Sequence, residues 1–211
     1  MAVSDTELTL NGLDAAPRGR ISIIGCGAIA HEILAIMKAN QMDHIVLTCL
    51  PAILHNTPEK IPQAVREKIR SLRENGVDQI FVAYADCGTG GLLQTVCAQE
   101  QVEMIEGPHC YAFFQGLDVA DQYDDITSFF LTDFLVRQFD AFVWKPLGLD
   151  RHPELLSMYF GNYQKLVYLE QVSDAKVLAK AKICAERLGL DFEHRKTGYG
   201  DLWTFMDKAK G

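Results

Sequence analysis

The sequence predicts an α/β fold: a doubly wound, mostly parallel sheet with helices on both faces, as one domain or two small lobes. Two observations carry this reading. Short apolar runs alternate with longer segments of helical periodicity, the order that strand–helix–strand units impose. The chain has 211 residues, 48% of them hydrophobic and 23% charged, enough to bury a sizeable core and ordinary for a globular protein.

The elements follow in order. Residues 1–19 are polar and aperiodic and read as a flexible arm, leaving 20–211 as the α/β domain. Ile21 to Ile24 is a buried strand, and Ala28 to Asn40 follows with Ile29, Ile33, Leu34, Ile36 and Met37 at helical spacing. His44 to Cys49 is a second strand, leading through Pro51 to the loop that carries His55. Pro58 opens a charged helix that stops near Asn75-Gly76. Gln79 to Tyr84 is strand three, then a glycine-rich loop and an apolar helix from Leu92 to Glu100. Val102 to Ile105 is strand four, running into Gly107-Pro108-His109-Cys110, and a helix is expected from Tyr111 to Leu117. Asp118 to Asp125 is polar and precedes Ser128 to Thr132. Asp133 to Tyr159, aromatic and apolar with two prolines, reads as mostly helix. Lys165 to Glu170 is a strand, and Ser173-Asp174 caps a helix from Ala175 to Leu188 that Gly189 ends. Phe192 to His194 is a last strand, before a helix over Leu202 to Lys210.

Charge and composition exclude several classes. A net charge of −8 is the opposite of a nucleic-acid footprint. No run of about 18 apolar residues exists to span a membrane. The start has no basic region followed by an apolar stretch, so no secretion signal is read. The six cysteines sit among buried strands and helices rather than in a disulfide framework, which points to a reduced, cytoplasmic setting.

Four of those cysteines fall where predicted strands end: Cys26, Cys49, Cys87 and Cys110. His55 and His109 lie in the same loops. In a parallel sheet these carboxyl-end loops share one rim, where ligands collect. Thiolate and imidazole gathered there make a soft-metal or nucleophilic site. His55, Cys87 and Cys110 are the expected ligands of zinc or iron, with Cys26, Cys49 and His109 as competitors. Cys97 and Cys184 lie in helical apolar patterns and read as core. No Cys-x-x-Cys pair is present. A metal-free alternative makes Cys87 a nucleophile, activated by the helix that follows it.

Two glycine motifs invite a phosphate or a cofactor. Gly25-Cys-Gly27-Ala-Ile-Ala30 follows a strand and opens a helix, as a dinucleotide fingerprint does. The strand that should supply a ribose-binding carboxylate ends instead in Thr48-Cys49-Leu50-Pro51. In Asp86-Cys87-Gly88-Thr89-Gly90-Gly91, the backbone N–H groups can cradle a phosphate or carboxylate, although the lysine and spacing of a P-loop are missing. Glu32, a turn beyond Gly27, is either a base behind the ligands or a solvated helix-surface residue.

Taken in order, the motifs resemble the family called domain of unknown function 1638. The pieces are Cys26-Gly27 with Glu32, Leu54-His55-Asn56 with Pro58, Tyr84 with Cys87-Gly88, Cys110 with Gly116, Phe130-Leu131-Thr132, and the strand Leu166 to Glu170. The resemblance spans about Ile21 to Thr204. His109 and Asp133-Phe134-Leu135 stand where the family often has an acidic residue and Gly-Trp. The resemblance implies an association with corrinoid-dependent methyl transfer from methylated amines and related donors. The expectation is therefore a metal-binding enzyme or accessory factor of one-carbon metabolism. It would meet a small methyl donor or a corrinoid protein, and neither nucleic acid nor membrane. Here His55, Cys87 and Cys110 hold the metal, Cys26 and Glu32 serve the chemistry, and Gly25, Gly27, Gly88, Gly90 and Thr132 contact a cofactor. The alternatives are an NAD(P)-dependent oxidoreductase using Gly25-x-Gly27, and a non-catalytic corrinoid or metal carrier.

Overall fold

The apolar runs at Ile21 and Ile45 become adjacent parallel strands because burial on both faces rewards continuous hydrophobic sequence. The computed structural model describes residues 3–14, 20–116 and 126–209. The chain divides into two compact units. One comprises the residues up to Phe113 together with those from Gly200 onward, and the other is Phe114–Tyr199.

In the first unit, β1 (Ile21–Cys26), β2 (Ile45–Leu50), β3 (Gln79–Ala83) and β4 (Glu103–Met104) form a parallel sheet in the order β2-β1-β3-β4. The register sets Gly25 beside both Cys49 and Ala83. Helices α1 (Asp5–Leu10), α2 (Ala30–Ala39), α3 (Ile61–Glu74) and α4 (Leu92–Gln99) accompany it, with the start of α5 (Cys110–Gln115), whose last two residues belong to the second unit. Along α3 the buried residues Ile61, Val65, Ile69 and Leu72 make one apolar stripe, and Gly76 leaves the helix at φ +80°. The closing helix, Gly200–Lys208, buries Leu202, Phe205 and Met206, with Phe205 edge-on to Phe81 at 6.2 Å. Because the strands are parallel, their carboxyl ends share one edge, which carries Cys26, the loop to His55, the loop from Tyr84 to Gly91, and Cys110.

The second unit holds a separate parallel sheet: β5 (Ser128–Thr132), β6 (Lys165–Glu170) and β7 (Asp191–Lys196), in that order. Its core gathers Leu131, Phe139, Leu166, Tyr168, Val177, Ala181, Cys184 and Leu188. The helix Ala175–Leu188 starts where the Asp174 carboxylate accepts the Lys176 N–H at 2.7 Å, and ends at Gly189, φ +68°. The α/β class with parallel sheets is thus the observed one.

Several segments differ from the sequence reading. Within the arm, Asp5–Leu10 is helical, with Leu8 fully buried and Leu13 bridged to Cys49. Residues 1, 2 and 15–19 lie outside the described residues, as do Leu117, the polar stretch Asp118–Asp125 and Lys210. The segment Asp133–Tyr159, expected to be mostly helix, is instead the short helix Asp133–Arg137, a wide helical turn at Asp140–Trp144, and turns up to Leu156–Phe160. Pro146 has no N–H to continue a helix, and Gly148 at φ +70° turns the chain away. Among the described residues, no helix is long and apolar enough to cross a membrane.

Candidate metal centre

Three strand ends of the first unit each deliver one ligand. His55 lies on the single helical turn Ala52–Asn56 after β2 and Pro51. Cys87 lies in the loop after β3, and Cys110 is the first residue of α5. Two main-chain hydrogen bonds tie the last two segments together, from Asp86 N–H to Gly107 O and from Cys87 N–H to Pro108 O, both 2.9 Å. They bring Cys87 Sγ to 3.5 Å from Cys110 Sγ. One ligand atom from each of His55, Cys87 and Cys110 lies within 4.8 Å of the others, so the group can hold a metal ion.

The neighbouring backbone prepares these ligands. His55 Nδ1 donates to Ala52 O at 3.0 Å, which fixes the ring and leaves Nε2 to face a metal. Cys87 sits at φ +49°, a left-handed conformation that a β-carbon disfavours. Gln41 and Gln101 share this conformation at ordinary turns, so the backbone here is compatible with a ligand without requiring one.

Electrostatics set the protonation of the metal-free group. The hydrogen bond from Cys87 holds Cys110 well below the ordinary thiol range; burial opposes this and the His55 imidazolium reinforces it. Cys87 is pushed up, first by that same bond and then by burial. Burial works against a charged His55, but the sulfurs of Cys26 and Cys110 outweigh it and raise its pKa well above the usual value. These directions favour a thiolate at Cys110, a thiol at Cys87 and an imidazolium at His55 while no metal is bound. Zinc uptake near pH 7 should therefore release about two protons, from Cys87 and His55 and none from Cys110. Affinity should rise with pH until both are deprotonated. Calorimetry in buffers of different ionisation enthalpy counts the protons, and a count near zero would exclude these residues as ligands.

The other expected site residues fall into different places. Cys26 is fully buried; its sulfur accepts the Ala28 N–H at 3.3 Å and lies 3.7 Å from His55 Nδ1, behind the ring rather than among the three ligands. Glu32 is buried, not solvated, and its charge acts on Cys49. Cys49 is a buried thiol whose pKa is raised first by burial and then by Cys26. His109 is exposed and stacks on Tyr111 at 5.2 Å. Cys97 and Cys184 are core residues, as read.

The glycines serve the fold. A β-carbon on Gly27 would lie 2.3 Å from Leu8 O, and one on Gly25 would lie 3.1 Å from Ile33 and 3.4 Å from Cys49 Sγ. The close approach that a dinucleotide fingerprint reserves for pyrophosphate is made here by the chain's own α1. The second loop also cradles an anion of its own. Asp86 accepts the Thr89 hydroxyl at 2.7 Å, Gly90 N–H at 3.1 Å and Gly91 N–H at 2.7 Å. Burial pushes the Asp86 carboxyl up, but these bonds, with one from Gly88, hold it below the usual range. The N–H groups of Gly88 and Gly90 are thus directed at Asp86 instead of a cofactor phosphate. Thr132 belongs to the second unit, where its hydroxyl accepts Leu135 N–H at 3.3 Å and caps a helix.

Sequence reasoning missed Tyr84 as a site residue. It is fully buried and stacked on His55, ring centroids 6.2 Å apart and planes 14° from parallel. Burial, then the sulfurs of Cys26, Cys110 and Cys87, raise its pKa well above the usual phenol range, so it is a neutral hydroxyl. A polar aromatic directly after an apolar strand, three residues before a rim cysteine, is the signal that could have found it.

Comparison with curated proteins and with solved structures gives no match. A family model matches residues 49–206, starting at Cys49 rather than near Ile21, so that Cys26 and Glu32 fall before it. That span includes His55, Tyr84, Cys87 and Cys110 and covers most of the chain, which therefore belongs to the family described as protein of unknown function (DUF1638).

Proposed function

We propose that the protein binds one thiophilic metal, zinc or iron, through His55, Cys87 and Cys110, and uses it as a reactive rather than a structural centre. The observation that carries this is the meeting of two thiols and an imidazole, from three separate strand ends, within 4.8 Å. Three protein ligands match the donor count of catalytic zinc sites, in which the fourth position stays open, whereas structural sites close with four. His55 and Cys110 are only partly buried, which suits access by a small molecule. When bound, such a metal supplies Lewis acidity and lowers the pKa of a thiol or water that joins it. His55 and the two cysteines hold it in place, Ala52 O orients the imidazole, and Cys26 backs the ring.

The family resemblance suggests the setting: corrinoid-dependent one-carbon metabolism of methylated amines or related donors, as an enzyme or an accessory factor. The metal centre supports that reading through its soft donor set. Elemental analysis of protein purified without an affinity tag should find about one zinc or iron per chain. Protein that carries no metal, and takes up neither zinc nor cobalt when dialysed against it, would overturn the reading. Turnover of a methylated donor in the presence of a corrinoid protein separates an enzyme from a carrier, which would hand over its cargo stoichiometrically.

A further inference from the structure

One polar group beside the metal centre has no use within the fold. The Tyr84 hydroxyl is wholly buried and makes no hydrogen bond to any described residue. Buried tyrosine hydroxyls ordinarily find a partner, because an unpaired donor loses its water and gains nothing. The ring is held by its stack on His55, and the sulfurs of Cys26, Cys110 and Cys87 act on the hydroxyl, Cys26 foremost and as a weak acceptor, yet none lies at hydrogen-bonding distance. It therefore sits among the groups that would surround a bound ion. A donor kept dry and unsatisfied there is ready for an acceptor brought in from outside.

We propose that the Tyr84 hydroxyl donates a hydrogen bond to the ligand that takes the metal's open position, and that it thereby selects a small anion. The inference rests on the metal centre proposed above and specifies what that centre binds. Two thiolates and a neutral imidazole cancel the charge of a divalent ion, so an incoming anion leaves the centre with one net negative charge. An O–H donor fixed beside it stabilises that charge more than it would a neutral ligand. An anionic sulfur, oxygen or nitrogen donor keeps a lone pair for the hydroxyl after binding the metal. Imidazole, bound through its single basic nitrogen, keeps none.

Cobalt(II) in place of the native metal makes the comparison visible, because its absorption changes when the fourth ligand changes. The full chain, its Tyr84→Phe variant and a Tyr168→Phe control would each be loaded and titrated with azide, with 2-mercaptoethanol and with imidazole. Tyr84→Phe should load cobalt to the same stoichiometry, and its metal-free form should melt no lower than wild type, since it sheds only an unpaired hydroxyl. Its affinity for azide and for the thiol should fall about tenfold, with imidazole binding unchanged. Tyr168→Phe, altered in the second unit, should bind all three as wild type does. Equal anion affinities in wild type and Tyr84→Phe would overturn the inference while leaving the metal centre intact. So would an equal loss for imidazole, which would mean that the ring only shapes the pocket. Wild-type protein that takes up no cobalt would overturn both.

Discussion

Cys110→Ser should reduce bound metal from about one per chain to almost none, with the fold retained. Cys110 is the candidate ligand whose pKa is held furthest below the ordinary thiol range, by Cys87 at 3.5 Å and by His55. A serine hydroxyl at neutral pH is a poor ligand, and its desolvation is no smaller than that of the thiol. Cys87→Ser should lose the metal as well. Cys26→Ser tests the layer behind. Its sulfur touches His55 Nδ1 from the far side, so the metal should stay but bind roughly 10–100-fold more weakly. Cys184→Ser should keep full metal, because that residue lies in the core of the second unit, and should cost roughly 1–3 kcal/mol for burying a hydroxyl. Metal content by elemental analysis, with melting followed in parallel, separates the three outcomes. A Cys110→Ser protein that stays loaded would exclude this cysteine as a ligand.

The largest loss of stability is expected at Asp133, which no part of the metal reading uses. This carboxylate is buried at the end of β5 and accepts Tyr168 O–H at 2.7 Å, Val172 N–H at 2.9 Å and Gln171 N–H at 3.2 Å. Its own N–H donates to Gln171 Oε1 at 2.8 Å. It therefore binds the carboxyl end of β5 to the turn that leaves β6. Asp133→Ala strands a phenol hydroxyl and two backbone N–H groups away from water, and should cost roughly 3–5 kcal/mol. Asp133→Asn keeps one acceptor oxygen but sets an NH2 group against one of the donors, so it should cost less, roughly 1–3 kcal/mol. Denaturant midpoints measure both. A neutral Asp133→Ala would mean that water replaces the carboxylate, and that the β5–β6 junction does not depend on it.

Much of this was legible because the physics is local. Burial, capping and left-handed stops act within a few residues, so the strands at Ile21 and Lys165, the Asp174 cap and the Gly189 stop read correctly. The rim of cysteines was legible for a related reason. In parallel sheets a strand's end always faces the same way, so any residue placed there joins its neighbours. Two small lobes were allowed for, but which strands each would take was not legible, since an apolar run does not name the strand it will pair with. Gly27 misled because a glycine pattern records that something comes close, not what does; here it is Leu8 O. Asp86 was overlooked as the occupant of its own loop for the same reason; the position of Tyr84 at a strand end was legible, but its hydroxyl's lack of a partner exists only in three dimensions.

The order of synthesis bears on the first unit, since its residues are not contiguous in the chain. Its four strands and the group His55, Cys87 and Cys110 are complete by Cys110, yet Leu202, Phe205 and Met206 arrive only after the whole second unit has been made. At ribosomal speeds of about 5–20 residues per second, that interval lasts roughly 5–20 s. During it, Phe81 lacks the cover of Phe205, and the nascent sheet presents an apolar face beside unprotected thiols. The second unit, continuous from Phe114 to Tyr199, can close as it emerges. Any metal or oxidant that reaches these thiols on the newborn chain thus meets them while the nearby sheet is still open on one side.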